Sequence, residues 1–257
     1  MLEALALGPI DLYGNSYGTF FAQVFAVRHP ARLHSLVLDG AYPLEAPDLA
    51  WYPAYAPAVR SKLNLSCARS PWCATLPGSS VEHIAPALEL LRRAPRRVRA
   101  FDADGVRHVF TADASALVTV LFGAAPAFAT LREADAAARA YAAGDRLPLE
   151  RLMAEAQAAV DSRDPRHDPA LFSQGLAAAV TCQDMPQIFD MSLAPEARRA
   201  ARERELARRR REAPDTYAPF TIDEYRAMRP DYAFIDECVG WPAPDADHPP
   251  SDRKSVV

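Results

Sequence analysis

The sequence predicts a mixed α/β fold in which a short β-α-β unit gives way to a long, mostly helical region. Three observations carry that expectation. An apolar run, a glycine-flanked turn and a helical pattern succeed one another within the first forty residues; later apolar residues recur at i, i+3 and i+4; and proline is abundant (23) while glycine is scarce (10). Such a balance favours helices separated by proline breaks over a chain of tight β-turns, and alanine-rich segments reinforce it.

Ile10 to Tyr13 reads as a short strand, and Gly14-Asn15-Ser16-Tyr17-Gly18 as a sharp turn after it. A helix follows, with Phe21, Val24 and Phe25 on one face. His29-Pro30 ends it, because proline biases the residue before it away from the helical region. Leu33 to Leu38 is then a strand closed by Asp39-Gly40, and the successive apolar residues Leu36, Val37 and Leu38 suit a parallel strand covered on both faces. The crossover of such a unit is expected to be right-handed.

From Tyr42 to about Trp241 the patterns are helical over Val81 to Arg93, Asp113 to Phe122, Phe128 to Ala143, Leu149 to Val160, Leu171 to Thr181 and Pro195 to Glu212. Arg97 to Ala112 is the exception, a hairpin turning at Asp102-Ala103-Asp104-Gly105. Two strands do not complete a doubly wound sheet. Pro242 to Val257 is rich in Pro, Asp and Ser and has no period. The expected organisation is a partial core over residues 1–44, a helical domain with one hairpin over 45–241, and an irregular tail over 242–257 leading towards further core segments.

A chain of 257 residues, half of them hydrophobic, can bury a sizeable core. The formal charge of −4 gives no electrostatic case for nucleic acid or an anionic membrane surface. No apolar run approaches the ~20 residues of a membrane span, and Met1 to Gly8 lacks the features of a signal peptide. Cys67, Cys73, Cys182 and Cys238 allow three pairings, and free thiols remain an equal reading. They lack the paired C-x-x-C of structural zinc sites, so neither a metal nor a cofactor is expected.

Gly14-x-Ser16-x-Gly18 between a strand and a helix matches a nucleophile elbow. The turn holds the serine in a strained backbone conformation, and both glycines are expected to avoid collisions with the adjoining strand and helix. Ser16 then stands at the carboxyl end of the strand, and the Tyr17 backbone N–H becomes an oxyanion donor near a helix N-terminus. The rival reading is an ordinary N-cap serine. A serine hydroxyl is a weak nucleophile without an imidazole to take its proton and a carboxylate to orient that imidazole. His29 and His34 fall at the wrong end of the β-α-β unit; His83, His108 and His167 suit surface or capping roles; His248, near Asp245 and Asp247, follows no strand that would present it. The eight arginines of Arg198 to Arg211, interleaved with glutamates, read as a solvated helix face.

At Leu12-Tyr-Gly-Asn-Ser-Tyr-Gly-Thr-Phe-Phe-Ala-Gln23, Arg28-His-Pro30 and Val37-Leu-Asp-Gly-Ala-Tyr-Pro43 the chain resembles the α/β-hydrolases of the proline iminopeptidase and tripeptidyl aminopeptidase-like serine peptidases. Thr181-Cys-Gln-Asp184, Ala218-Pro-Phe-Thr221 and Cys238-Val-Gly-Trp-Pro242 extend the likeness over nearly the whole chain. The resemblance implies a partial α/β-hydrolase core followed by a mostly helical cap, with Ser16 as nucleophile and Tyr17 supplying an oxyanion N–H. Asn15 stands where many relatives have Asp. It also implies disulfides Cys67–Cys73 and Cys182–Cys238, since relatives are often exported. Asp184 and Glu237, in matching cap segments, could recognise a substrate's amino terminus, because a desolvated cation needs a carboxylate; helix capping or surface charge is the rival reading.

Relatives carry several strands and a second oxyanion donor before the elbow, and two strands with the acid and the base after the Trp-Pro motif. This chain is therefore expected to be an internal portion of a longer enzyme, dependent on those core segments for activity. The expected partner is a peptide or small acyl substrate. An esterase, a peptide-binding cap and an inactive truncated fragment are the alternatives.

Overall fold

The structure, a computed structural model, describes residues 4–42, 51, 53–122, 128–162, 170, 173–228 and 238–243. Glu237, His167, His248, Asp245, Asp247 and the tail from 244 onwards lie outside them. The fold is mixed α/β, rich in helix with two small sheets. No helix among the described residues is long and apolar enough to cross a membrane.

Strand β1 (Ile10–Asn15), helix α1 (Tyr17–Arg28) and strand β2 (Leu33–Asp39) form the first unit. β1 and β2 pair in parallel from Ile10 opposite Leu33 to Asn15 opposite Asp39, with a register shift after Ile10 that skips His34. α1 packs on both strands, burying Phe20 and Ala22. A 3-10 turn at Pro30–Arg32, begun by the proline, separates α1 from β2.

The remaining elements are α2 (Tyr55–Ala68), α3 (Ser80–Arg93), the antiparallel hairpin β3 (Arg96–Phe101) and β4 (Arg107–Ala112), then α4 (Ala114–Phe122), α5 (Phe128–Ala142), α6 (Leu147–Ser162), α7 (Gln174–Asp184), α8 (Pro195–Glu212) and α9 (Ile222–Arg226). Helix α4 is apolar nearly all round, and every residue in it except Ser115 is buried, which makes it the central rod. α3, α6, α9 and β4 pack on it, while α5 lies between α2, α3 and α6. Leu88, Leu91, Leu117, Leu121, Leu131 and Leu149 are sealed in this core, each contributing roughly 1.5–3 kcal/mol by leaving water.

Two helices went unpredicted, for separate reasons. In α2 the buried residues are Ala56, Val59, Leu63, Ser66 and Cys67, a helical stripe carried largely by small side chains that a search for large apolar residues passes over. α9 is too short to show a period; its signal is the capping box in which Thr221 accepts from the Glu224 N–H and Glu224 accepts from the Thr221 N–H. α3 opens on the same device at Ser79 and Glu82.

Helix α8 corrects the expectation of a uniformly solvated arginine face. Arg208 pairs with Glu205 and Glu212, and Arg210 with Asp223, as exposed pairs do. Arg198 and Arg209, however, are buried. Arg198 donates to the carbonyls of Met191, Cys238, Val239 and Trp241, gathering the end of the described chain around one guanidinium. Arg209 and Arg226 lie over the Trp51 ring at 5.0 and 5.5 Å, and the Trp51 carbonyl accepts from Tyr217 Oη at 2.9 Å.

Cys67 bonds to Cys73 and Cys182 to Cys238, the pairing that the resemblance implies. On the chain-entropy account the second, spanning 56 residues, constrains the unfolded chain by about 4 kcal/mol, and the first, spanning 6, by about 2 kcal/mol.

The half-buried Arg92–Glu224 pair joins α3 to α9 through two hydrogen bonds of 2.7 and 2.9 Å. Burial alone would raise the Glu224 pKa, but the bonds from Arg92 and Thr221 outweigh it and hold the carboxyl below its ordinary value. A depressed folded pKa contributes stability above the unfolded value of about 4.3 and loses it as pH falls through the folded value. The urea midpoint of the wild type is therefore expected to exceed that of Glu224→Gln at pH 6, with the gap closing below about pH 4. A gap independent of pH would show that the ion pair does not supply it.

Candidate functional site

β1 delivers the chain to Ser16, which stands alone between strand and helix at φ 51° and ψ −124°. Side chains rarely adopt a positive φ, because Cβ crowds the backbone, so the surrounding contacts must impose it. They do so through Gly14: a Cβ there would lie 2.4 Å from the Gly18 carbonyl oxygen and 2.9 Å from the Thr19 nitrogen. The helix doubles back over the strand closely enough to admit only hydrogen at residue 14. Gly18 differs from the expectation, since a Cβ at that position meets no heavy atom within 4 Å.

Hydrogen bonds fix the bend from both sides. The Ser16 N–H donates to the Asp39 carbonyl at 3.0 Å, and the Ser16 carbonyl accepts from the Thr19 N–H at 2.9 Å and the Thr19 hydroxyl at 2.6 Å. Thr19 is fully buried, and its hydroxyl also accepts the Tyr42 N–H at 2.9 Å. Gln23 Nε2 completes the strap by donating to the Thr19 and Tyr42 carbonyls at 3.0 and 2.7 Å. Residues 39–42, which leave β2, are thus tied to the first turns of α1.

Ser16 is exposed, and its side chain makes no capping bond to α1. The N-cap reading requires that bond and an extended backbone, and Ser16 has neither. Tyr17 is the first residue of α1, so its N–H has no intrahelical acceptor and lies at the positive end of the helix dipole. The Tyr17 hydroxyl donates to Asp184 Oδ2, at the end of α7. Burial first, and then that carboxylate, pushes the Tyr17 pKa far above its ordinary value, so the phenol stays a neutral donor. Asp184 is thereby set beside the residue that follows Ser16, while its expected companion Glu237 is outside the described residues. Beside the bend, Tyr13 Oη donates to Asp39 Oδ2 at 2.9 Å, a bond that raises the Tyr13 pKa.

The described histidines have partners other than Ser16. His34 Nδ1 lies 2.7 Å from Asp11 Oδ1, at the far end of β1 and roughly 16 Å of strand from the serine. His29 packs on Phe25 at the other end of α1, roughly 20 Å along the helix. His108 Nε2 lies 2.7 Å from Asp102 Oδ2, closing a turn whose amide N–H groups at Asp104 and Val106 donate to Asp102 Oδ1. His83, expected at the surface, is instead nearly buried, with Nδ1 2.9 Å from Asp135 Oδ2. That contact belongs to a second group of chemically capable side chains, Cys67, Cys73, His83 and Asp135. Sequence spacing hid this group because three helices contribute to it.

No family model, curated protein or solved structure matches the chain. The functional reading accordingly rests on the residues themselves.

The two glycines are expected to behave differently on substitution. Gly14→Ala should lower stability by about 1–3 kcal/mol, the range for overpacking, and displace Ser16. Gly18→Ala, in the first turn of a helix with open space at Cβ, should be neutral or stabilising by up to ~1 kcal/mol. Thermal denaturation of both variants checks this, and equal losses would contradict the contact geometry.

Proposed function

We propose that this chain supplies the nucleophile and a substrate-facing carboxylate of a serine-type hydrolase that cleaves amide bonds near the amino terminus of peptides. One observation carries the reading: Ser16 sits in a strained bend between β1 and α1, with a hydroxyl that does not cap the helix. A capping serine commits its oxygen to the backbone, whereas a nucleophile must keep it available. The next residue, Tyr17, opens α1 with an N–H that has no intrahelical acceptor, the kind of donor that an oxyanion requires.

In this reading Ser16 Oγ attacks the scissile carbonyl, and the oxygen that gains charge is held by the Tyr17 N–H. One such donor is worth about 2.7–4 kcal/mol of transition-state stabilisation. The serine proton passes to an imidazole oriented by a carboxylate, and from there to the leaving amine. Because the described histidines are held elsewhere, this pair comes from outside the described residues. The β1-α1-β2 unit is then the partial α/β-hydrolase core, and α2 to α9 with the hairpin form its helical cap. Asp184 receives the substrate's ammonium group, with Tyr17 holding the carboxylate in place.

A fluorophosphonate should modify the wild type at Ser16, located by peptide mapping, and leave Ser16→Ala unmodified. A folded protein that carries the imidazole and carboxylate and still stays unlabelled would remove the nucleophile from the account. For a peptide amide with a free α-amino group, Asp184→Asn should raise KM about ten- to a hundredfold, as loss of a charge-assisted bond implies, and leave turnover of the N-acetylated amide unchanged. Equal losses on both substrates would assign Asp184 to positioning Tyr17 alone.

A further inference from the structure

Away from Ser16, three helices bring together a set of side chains that the reaction does not use. Cys67 near the end of α2, Cys73 after it, His83 at the start of α3 and Asp135 within α5 each present one ligand atom. These four atoms lie within 4.8 Å of one another. Two sulfurs, an imidazole nitrogen and a carboxylate oxygen are the donors that zinc takes in tetrahedral sites, where bonds of about 2.0–2.3 Å keep the donors roughly 3.3–3.8 Å apart. Cys73 Sγ stands 3.8 Å from Asp135 Oδ1, and His83 Nδ1 2.9 Å from Asp135 Oδ2. Two contacts are closer than such a site allows: the sulfurs, which are bonded to each other, and His83 Nδ1 with Asp135 Oδ2, which share a proton, so both must part to admit an ion.

The outer partners of the group point the same way. His83 Nε2 donates to the Pro77 carbonyl at 2.9 Å, leaving Nδ1 as the nitrogen that faces the cluster. Histidines that bind metal are usually held by this kind of bond from the far nitrogen. Arg139 Nε donates to Asp135 Oδ1 at 3.0 Å, with its guanidinium 5.0 Å from the centre of the Trp72 ring. Charge also balances: two thiolates and one carboxylate around Zn²⁺ leave one negative charge, and Arg139 offsets it. Asp135 is fully buried and both cysteines nearly so, so an unbalanced charge there would be costly.

We propose that the Cys67–Cys73 disulfide is one state of a redox-controlled zinc site, and that the reduced chain binds a single Zn²⁺ through Cys67, Cys73, His83 and Asp135. Reduction takes two electrons and two protons from a dithiol, which leaves as its own disulfide while Cys67 and Cys73 become thiols. The ion then displaces three protons to solvent: one from each thiol and the one that His83 Nδ1 donates to Asp135. Disulfide and ion exclude each other, since the ion needs both sulfurs as thiolates. Either one links α2 to the segment after it, and the ion also joins α3 and α5.

The test uses the full chain, reduced with a phosphine, freed of reductant under anaerobic conditions, and titrated with Co²⁺ and then with Zn²⁺ against a chromophoric chelator. One Co²⁺ per chain should bind with a thiolate charge-transfer band and the intense visible bands of tetrahedral coordination, and one Zn²⁺ should displace it. The unreduced chain should show neither band. His83→Gln and Arg139→Ala keep the cysteines and should weaken Zn²⁺ binding about 10–100-fold. A Cys182→Ser, Cys238→Ser variant leaves the cluster whole and should bind as the wild type does. If reduction lowers the helical circular dichroism, Zn²⁺ should restore it. The proposal is overturned if the reduced chain gives no thiolate–cobalt band, if binding survives Cys67→Ser with Cys73→Ser, if His83→Gln binds like the wild type, or if lost helicity does not return with Zn²⁺.

Discussion

Contact between the backbone of Gly14 and that of Gly18 is the constraint from which the Ser16 site follows. With 2.4 Å between a would-be Cβ on residue 14 and the Gly18 carbonyl, the helix can begin only by folding back over the strand that precedes it. That reversal forces residue 16 to a positive φ, and its side chain makes no capping bond to the helix that follows. A strained residue persists only where its neighbours hold it, and here Thr19 does so from the interior. Its hydroxyl joins the Ser16 carbonyl to the Tyr42 N–H, so the bend and the exit from β2 are parts of one hydrogen-bonded unit.

The two regions of the chain are stabilised by different means. The large apolar cluster is built from residues between Trp51 and Val239, around a helix with hardly any exposed face. The β-α-β unit buries little besides Thr19, Phe20 and Ala22, and leaves Tyr13, Phe21, Val27 and Val37 exposed. Its shape rests more on directional bonds at Ser16, Thr19 and Gln23 than on burial. Tyr17 joins this unit to α7, and α7 is held by the bond from Cys182 to Cys238. A disulfide far from Ser16 in sequence thus steadies the carboxylate bonded to Tyr17.

Legibility in the sequence tracked the range of the interaction. Strand, turn and helix around Ser16 are local, so five residues and their flanks sufficed to place them, as Asp102 and Gly105 did for the hairpin turn. The role of Gly14 was readable and that of Gly18 was not, because the contact is one-sided and the motif is symmetrical. Arg198 and Arg209 look like their neighbours in a charged helix, and only the carbonyls and the Trp51 ring brought to them by distant segments take them out of solvent. His83 was misread for the same reason: its partner Asp135 is 52 residues away and becomes a neighbour only when α3 packs on α5.

The bond from Tyr17 to Asp184 bears on how a charged substrate would be received. A phenol held neutral by burial donates one hydrogen bond to the carboxylate and adds no charge of its own. A neutral tyrosine fixes the direction of the carboxylate without bringing a second charge to it, which fits the role proposed for Asp184. In the proposed mechanism the backbone N–H of the same residue, at the start of α1, would serve the oxyanion. Under the proposed mechanism, one position at the start of α1 would couple recognition of the substrate's terminus to the bond that is cut, and the packing of α7 on Tyr17 would matter to both.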